Sequence, residues 1–413
     1  MSTPTQWELS TVAQEFDVQL GKRLDAAVNR GELRWCINNR GVRWGRVLVG
    51  ESIQAPLTPA DIRDLRLTEG DVLVCEGGEI GRAAVWRGEL AEAYFLNTLH
   101  RLRSRGRYSP RLLVAYLERW AATGELSAVV GKATLAHLTK ENLLRVPLPV
   151  MPASEQAWTV EALESIDSLV AALERLIAKK RDIQNGVMQE LLSGHTRLPG
   201  FAGEWREVHL GDHVSFVRSV PLSRDQLDRT SPLKYLHYGD IHTTSAVRLD
   251  ATAKDMPRAS AVLAGRAGRL APGDVVFADA SEDPAGVGKS VEITSVPAEG
   301  VVPGLHTIAA RFDKTVLADG FKAYLQFIPT FRESLLRLAA GTKVLATTRS
   351  YVSSIDLVLP SADEQRAIAS VLTDADAEIA ALQRRLESAR AVRQGMMQEL
   401  LTGRTRLVSE VAA

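Results

Sequence analysis

The sequence has little of what marks a secreted, membrane-spanning or metal-binding protein. Only two of its 413 residues are cysteines, Cys36 and Cys75, too few for a disulfide framework or a zinc-ligand spacing, so we expect buried thiols in a reducing compartment. No apolar run approaches the length of a membrane span, and the amino terminus has no basic region followed by an apolar core. The sequence therefore predicts a cytoplasmic protein that is neither exported nor membrane-bound.

Motifs for catalysis or cofactor binding are also missing. The sequence has no Asn-Pro-Pro-aromatic motif, no GxGxxG after a strand and no cluster of histidine and cysteine. Gly288-Lys289-Ser290 resembles the end of a P-loop, but that loop requires glycine five residues before Gly288, where Asp283 stands and would repel phosphate. We expect a polar loop there, and a chain that is not an enzyme and holds neither cofactor nor metal.

An excess of one charge is absent as well. Lysine and arginine together number 50, as do aspartate and glutamate, whereas nucleic-acid-binding domains are commonly basic. Any basic surface on this chain must therefore be local.

What the sequence does contain is a long internal repeat. MQELLSGHTRL at 188–198 recurs as MQELLTGRTRL at 397–407, with nine of eleven positions identical, and the match extends upstream at a constant offset of 209 residues to Gln156 and Gln365. A repeat of about forty residues indicates a duplicated structural unit.

Each copy of the repeat predicts one long helix. Apolar residues recur at alternating spacings of three and four, which is the seam of a coiled coil. Ser154, and Ser361 with Glu364 as a capping box, predict the helix starts, while Gly194 and Gly403 predict the ends. The predicted seam consists of Leu163, Ile166, Val170, Leu173 and Ile177 in the first copy and of Leu372, Ile379, Leu382, Leu386, Met396 and Leu400 in the second.

Three polar residues interrupt this seam. Lys180, Gln184 and Arg393 stand at positions that the heptad assigns to the interior. We expect these side chains to extend into water, although an interior polar residue can also determine how two helices pair.

The helices divide the chain into alternating domains and helices. The predicted boundaries are a first domain at 1–152, a helix at 153–198, a second domain at 199–360, a helix at 361–407 and a tail at 408–413. Short apolar runs separated by glycine and proline predict an α+β fold with two mixed α/β domains. If the helices form an antiparallel coiled coil, the duplication acquires a pseudo-two-fold axis with one domain toward each end, which suits asymmetric bipartite DNA.

Arginine-rich segments supply the candidate DNA contacts. The four arginines between Arg101 and Arg107 alternate with period two and would share one face of a strand, and a second group surrounds Trp44. Such groups can contact phosphates and base edges, with a solvated polar edge open as the alternative for each arginine. The candidates are Asn38, Asn39, Arg40, Arg43, Arg46, Arg101, Arg103, Arg105, Arg107 and Lys132 in the first domain and Tyr235, His237, Tyr238, Arg266, Arg269, Lys343 and Arg349 in the second.

The repeat resembles the conserved regions of specificity subunits of Type I restriction-modification systems. The resemblance rests on Gln156 and Gln365 after acidic residues at the helix starts and on the shared MQELL and TRL segments at the ends. It covers the whole chain, because the segment at 70–86, with its Gly-Asp-Val-Leu-Val strand and Glu-Gly-Gly step, is similar to that family's recognition-domain core. In the second domain the residues at 279–282, Asp-Ala-Ser-Glu, replace this step.

The resemblance implies a non-catalytic subunit. Each recognition domain would read one half of a split site in double-stranded DNA, and the helices would set the spacing and bind two adenine methyltransferase subunits. ATP-driven restriction subunits would complete the nuclease, and S-adenosylmethionine, ATP and magnesium would belong to the partners. A coiled-coil scaffold with two protein-binding domains and no DNA role stays open, because the near-neutral charge favours it while the local arginine clusters favour DNA.

Overall fold

The chain combines helices and strands, as the sequence predicts, and divides into two compact units. The computed structural model describes residues 7–24, 30–130, 137–338 and 345–407. Unit 1 comprises Met1–Glu174 and Arg385–Ala413, and unit 2 comprises Arg175–Arg384. The two long helices each contribute one segment to each unit.

Unit 1 begins with short strands and helices and leads into the first long helix. Its elements in chain order are β1 (Glu8–Thr11), α1 (Val12–Glu15), β2 (Phe16–Leu20), β3 (Glu32–Ile37), β4 (Val42–Arg43), β5 (Arg46–Val47), β6 (Ile53–Leu57), α2 (Pro59–Asp64), β7 (Val72–Cys75), β8 (Ala83–Val85), β9 (Tyr94–Phe95), β10 (Leu99–Ser104), α3 (Pro110–Ala122), α4 (Glu125–Val130), α5 (Lys140–Leu144), β11 (Pro147–Val150) and α6 (Ala153–Ser193).

A four-stranded antiparallel sheet of order β2-β10-β7-β8 forms the centre of unit 1. Val72 and Val74 on β7 belong to the core that contains α3, whereas Leu73 and Cys75 face the opposite core. Burial on both faces explains the uninterrupted apolar run in the sequence. Cys36 and Cys75 are free and buried, which confirms the prediction of unpaired thiols, and burial raises the pKa of Cys36 to about 11.

Unit 2 contains the second set of strands and most of the second long helix. Its elements are β12 (Arg206–His209), β13 (Val214–Val217), β14 (Lys234–Leu236), α7 (Tyr238–Thr243), β15 (Arg248–Asp250), β16 (Val275–Ala278), β17 (Ala280–Ser281), β18 (Ser290–Ser295), β19 (Val301–Pro303), β20 (Thr307–Phe312), α8 (Pro329–Leu338), β21 (Leu345–Ala346), α9 (Arg349–Ser353), β22 (Asp356–Leu359) and α10 (Ala362–Leu401).

The central sheet of unit 2 has the order β13-β20-β16-β18-β15. Its first four strands are antiparallel, and β15 adds a parallel edge. Val275 and Phe277 on β16 face one core, while Val276 and Ala278 face the other. The central strand of unit 2 is thus buried on both faces, like β7 in unit 1.

In each unit an arginine braces the turn before the central strand. Arg103 donates two hydrogen bonds of 2.8 Å to the carboxylate of Asp71 in unit 1, and Arg311 donates two of 2.7 Å to Asp274 in unit 2. Both carboxylates are 1% exposed, and a buried carboxylate requires such pairing. These arginines therefore contribute to the fold.

The starts of the long helices differ from the prediction. The amide of Gln156 donates to the carbonyl of Pro152 at 2.9 Å, so α6 begins at Ala153 and the predicted cap Ser154 lies inside the first turn. On α10, the hydroxyl of Ser361 accepts from the amide of Glu364 at 3.3 Å, which is one half of the predicted capping box. The other half is missing because the Glu364 carboxylate binds an arginine instead.

The glycines predicted to end the long helices do so, although the helices stop at Ser193 and Leu401, short of the predicted boundaries at 198 and 407. Gly194 and Gly403 have φ angles of 73° and 69°, which is the left-handed conformation of a helix-terminating glycine. The amides of Thr196 and Thr405 bond back to the carbonyls of Glu190 and Glu399, both at 3.3 Å. Each bond spans six residues and returns the chain beyond the glycine to the last helical turn, which explains the shared glycine in the repeat.

The two copies of the repeat bind each other reciprocally. In unit 1, Arg406 at the end of the second copy donates hydrogen bonds of 2.8 and 2.7 Å to Glu155 at the start of the first. In unit 2, Arg197 at the end of the first copy binds Glu364 at the start of the second, with Nη2 2.6 Å from the carboxylate. Both carboxylates are nearly fully buried. We call these the end clamps.

All of the predicted seam residues are buried or partly buried. Those that are buried are Leu163, Leu173, Ile177, Leu372, Ile379 and Leu400, and those that are partly buried are Ile166, Val170, Leu382, Leu386 and Met396.

The polar residues in the seam are bonded to other side chains, contrary to the expectation that they extend into water. In unit 2, Lys180 pairs with Glu378 at 2.7 Å, and the amide of Gln184 donates to Asp376 at 2.7 Å. From Lys180 to Gln184 the residue numbers on α6 increase, while those of the partners on α10 decrease from 378 to 376. These segments of the two helices in unit 2 therefore run in opposite directions. In unit 1, Arg393 of α10 binds two carboxylates.

Two isoleucines of α6 provide a test of the seam. Ile177 is 6% exposed and lies on the face of Lys180 and Gln184, whereas Ile183 is 51% exposed. We expect Ile177→Asp to lower the free energy of unfolding by about 2–4 kcal/mol, because it places a charge in an apolar contact, and Ile183→Asp to have little effect. Urea denaturation of both variants measures this, and equal effects would show that Ile177 does not lie in the helix contact.

Candidate nucleic-acid interface

The first predicted cluster lies on and beside the β4-β5 hairpin of unit 1. Val42 pairs with Val47 and Arg43 with Arg46, so Trp44 and Gly45 form a two-residue turn. Arg46 is exposed and Arg43 partly so, and neither pairs with a carboxylate among the described residues. The hairpin therefore carries cationic groups that remain available to a ligand.

The residues before the hairpin serve local structure as well. The side chain of Asn38 accepts from the amides of Arg40 and Gly41 at 2.9 and 3.3 Å and so caps a short 3-10 turn. The carbonyl of Asn39 accepts from Arg82 at 2.8 Å. The side chain of Arg40 is exposed, and no carboxylate in the described ranges pairs with it. Arg40, Arg43 and Arg46 are thus the open cations of this cluster.

The structure corrects the prediction that the four alternating arginines between Arg101 and Arg107, which we call the arginine stripe, form one exposed surface. Arg101 is 5% exposed, and its guanidinium donates to the carbonyl of Asp64 and the side chain of Gln19 at 3.1 and 2.5 Å. Burial lowers its pKa. A period of two assigns residues to one face, but it does not say whether other segments cover that face.

The other members of the stripe are mostly engaged too. Arg103 braces the turn described above, and Arg107 pairs with Glu8 and Glu15. Strand β10 ends at Ser104, so Arg105 lies beyond it. Arg105 is exposed, with no carboxylate partner in the described part of the chain. In that part of the chain, Arg105 is the one member of the arginine stripe whose guanidinium is open to a ligand.

The predicted residues of unit 2 are in three different environments. Tyr235 is fully buried, and its hydroxyl accepts from the amide of Leu305 at 2.6 Å, so it is a core residue. Arg266 and Arg269 are exposed, and Arg349 lies over the ring of Phe216 at 5.8 Å. Lys343, like Lys132 of the first domain, lies outside the described residues.

His237 and Tyr238 belong to a compact group of rings. The Tyr238 ring centroid is 4.4 Å from that of His237, 5.9 Å from His242 and 5.4 Å from His306. His237 caps α7 through a 3.2 Å bond from the amide of Gly239, and burial lowers its pKa. We refer to Tyr238, His242, His306 and the adjacent Asp279 as the Tyr238 cluster.

Sequence reasoning missed three members of this cluster, although one signal pointed to it. Asp279 begins the Asp-Ala-Ser-Glu segment that replaces the Glu-Gly-Gly step of the first domain. This segment follows the central strand β16, and the Asp279 carboxylate contacts the ring of His306 there. His306 itself has a φ of 56°, which no local sequence pattern announces for a histidine.

Unit 1 also contains a cleft of about 950 Å³. The β4-β5 hairpin, the end of α3 and segments of α6 and α10 line it. Arg111 and Arg393 meet Asp167 in its wall. The residues that line the cleft carry charges of both signs, and many of its arginines form ion pairs with carboxylates of the same unit.

Neither a cluster of potential metal ligands nor a membrane-spanning helix occurs in the described ranges. No group of three or more potential metal ligands occurs among these residues, and no helix among them is both long and apolar enough to span a bilayer. In the P-loop-like segment, Lys289 donates to the carbonyl of His242 at 2.7 Å, and Ser290 opens the buried strand β18. This segment is a structural connection between strands.

Solved structures that are similar to this chain include two that match it over nearly its full length. A chain from a study of complex assembly and conformational transition of the type I R-M system is 17% identical, with a TM-score of 0.58, and the match covers 98% of this chain and 100% of that one. The Type-I restriction-modification S subunit from M. genitalium is 13% identical, with a TM-score of 0.59, and the match covers 96% and 98%. No protein-family model matches the chain. The chain thus has the fold of these proteins over nearly its full length.

Proposed function

We propose that the chain is the DNA sequence-specificity subunit of a Type I restriction-modification complex. The observation that carries the proposal is the structural similarity to a Type I S subunit over 96% of this chain and 98% of the other. A match of that extent includes both units and both long helices, so it does not rest on a common small domain.

The internal organisation supports a duplicated reader. The two central sheets share the order of their first four strands, and the Arg103 and Arg311 braces are equivalent contacts. The end clamps join the start of each copy of the repeat to the end of the other. We infer that α6 and α10 form an antiparallel coiled coil with a pseudo-two-fold axis, and that the domains at 1–152 and 199–360 each read one half of a bipartite site.

DNA contact is proposed for the open cations and rings described above. In unit 1 these are Arg40, Arg43, Arg46 and Arg105, which can neutralise phosphates. In unit 2 the exposed Arg266 and Arg269 serve the same purpose. Net neutrality of the chain is compatible with this role, because a basic surface can be local when the chain as a whole carries no net charge.

Catalysis and its cofactors are assigned to partner subunits. We propose that two methyltransferase subunits, with S-adenosylmethionine, bind along the helices, and that restriction subunits supply ATP- and magnesium-dependent cleavage. The chain itself contributes sequence choice and half-site spacing.

The competing function is a coiled-coil scaffold with two protein-binding domains. The internal pairing of Arg101, Arg103 and Arg107 favours it, because it removes three cations from any DNA surface. Binding of the chain to duplex DNA at several salt concentrations separates the two functions, since phosphate contacts produce a steep loss of affinity with salt.

The direct test is the methylation pattern of DNA in living cells. We expect cells that express the chain with its methyltransferase partner, in a host without other adenine methylation, to carry methyladenine in one split motif with a fixed gap. Single-molecule sequencing of genomic DNA measures this. Cells that lack the chain but contain the methyltransferase serve as the control. Identical methylation with and without the chain would contradict the proposal.

A further inference from the structure

The Tyr238 cluster contains two imidazole rings whose orientation is fixed by neighbours. Nδ1 of His306 lies 3.1 Å from the Asp279 carboxylate, and Nε2 of His242 lies 2.9 Å from the carbonyl of Ala280. Both partners can only accept, so these nitrogens carry the protons. In the neutral rings, Nε2 of His306 and Nδ1 of His242 are therefore hydrogen-bond acceptors. No described residue donates a hydrogen bond to either atom.

The backbone at His306 is strained. Its φ of 56° makes it the only non-glycine residue with a positive φ in the described ranges. A histidine there costs more than glycine would, and such strain is concentrated at functional sites. Its side chain is half-exposed, at 49%, so the conformation presents the ring outward.

A cation is bound to the backbone of one of these histidines. Lys289 uses one of its three protons for the carbonyl of His242 at 2.7 Å. Among the described residues its ammonium forms no ion pair. The other protons are therefore available to an anion near the backbone of His242.

The site combines oriented hydrogen-bond acceptors, an aromatic ring and a nearby cation. These groups are complementary to those of a nucleotide in duplex DNA. Base edges display amino donors in the major groove, and the phosphate lies next to them as the anion. A solvated loop requires neither a strained histidine nor the carboxylate that orients it.

We infer that the Tyr238 cluster reads base edges in one half of the DNA site and that Lys289 contacts the neighbouring phosphate. This inference rests on the proposed function and assigns one half of the target to residues of unit 2. It also gives Lys289, the lysine of the P-loop-like segment, a role toward DNA instead of toward a free nucleotide.

The test is the methylated motif of variants at His306 and His242. Asparagine tolerates a left-handed backbone, so His306→Asn keeps the loop conformation while changing the group presented. We expect His306→Asn and His242→Ala each to relax at least one position in one half of the motif, with methylation of mismatched sites rising about tenfold or more. The other half and the gap should stay unchanged.

Lys289→Ala should act differently. We expect it to leave the motif unchanged, to weaken binding of the assembled complex to all sequences alike, and to reduce the slope of log affinity against log salt by about one. A salt titration of DNA binding measures this. An unchanged slope would remove Lys289 from the proposed site.

His209 provides the matched control. It is also a half-exposed histidine of unit 2 whose Nδ1 contacts a carboxylate, that of Asp356 at 2.6 Å, but it lies on β12. We expect His209→Ala to leave the motif intact. An unchanged motif in the folded His306 and His242 variants, or the same relaxation in His209→Ala, would overturn the inference. Absence of any split motif in the parent would instead overturn the proposed function.

Discussion

Replacing Arg393 by methionine should lower the free energy of unfolding by about 3–5 kcal/mol. Its guanidinium is 22% exposed and binds Glu118 at 2.8 and 2.7 Å and Asp167 at 2.5 Å. Burial alone would lower the pKa of Arg393, but its hydrogen bonds to both carboxylates outweigh this effect and raise the pKa. Removing the cation leaves Glu118 partly buried without its partner, which costs more than the loss of an exposed pair.

Arg390, one turn earlier on α10, is the control for this variant. It is 58% exposed and pairs with Glu174, itself 40% exposed. Exposed pairs contribute little, so we expect Arg390→Met to change stability by less than about 0.5 kcal/mol. The double variant Arg393→Met with Glu118→Gln should recover part of the loss. Chemical denaturation measures all three, and equal effects of the two methionine variants would contradict a structural role for Arg393.

Adding one helical turn to both long helices should widen the gap of the DNA motif by one or two base pairs. The helices pass from one unit to the other after Glu174 on α6 and after Arg384 on α10. Four residues inserted at both places leave the contacts within each unit intact. They lengthen each helix by about 6 Å, and DNA advances about 3.4 Å per base pair. The half-site bases should not change, because no candidate base-contacting residue is touched.

Two controls separate spacing from general damage. Four residues inserted after Gly200, in the turn beyond the first clamp, lengthen the connection but not the helices, so we expect the parental gap. An insertion in α6 alone mismatches the two helices and should reduce stability and methylation. Sequencing of methylated genomic DNA measures all three. Changed half-sites with an unchanged gap in the double insertion would contradict the proposal that the helices set the spacing.

Much of the fold was accessible from the sequence because its determinants are local. The central strand at 72–75 and the ends at Gly194 and Gly403 follow from short patterns of apolar residues and turn residues. The repeat added the two long helices. The N-cap of α6 was predicted at Ser154, two residues too late, because the backbone carbonyl of Pro152 begins the helix without a side-chain cap.

The candidate site was less accessible because it depends on contacts between distant segments. Arg101 appeared to lie on an open face, but Asp64 and Gln19, far away in sequence, accept hydrogen bonds from its guanidinium. His306 and Asp279 come together across 27 residues, and the backbone strain at His306 is a property of the folded loop. Spacing alone contains none of this information.

The glutamines that follow the clamp glutamates provide a way to observe each unit separately. Oε1 of Gln156 accepts the amide of Ser109 at 2.9 Å, and Oε1 of Gln365 accepts that of Ala318 at 2.8 Å. Neither amide is bonded within a helix or a strand, so its protection from deuterium exchange depends on the glutamine remaining in place. Since one reporter lies in each unit, their exchange rates would reveal whether the halves of the molecule open together or one at a time.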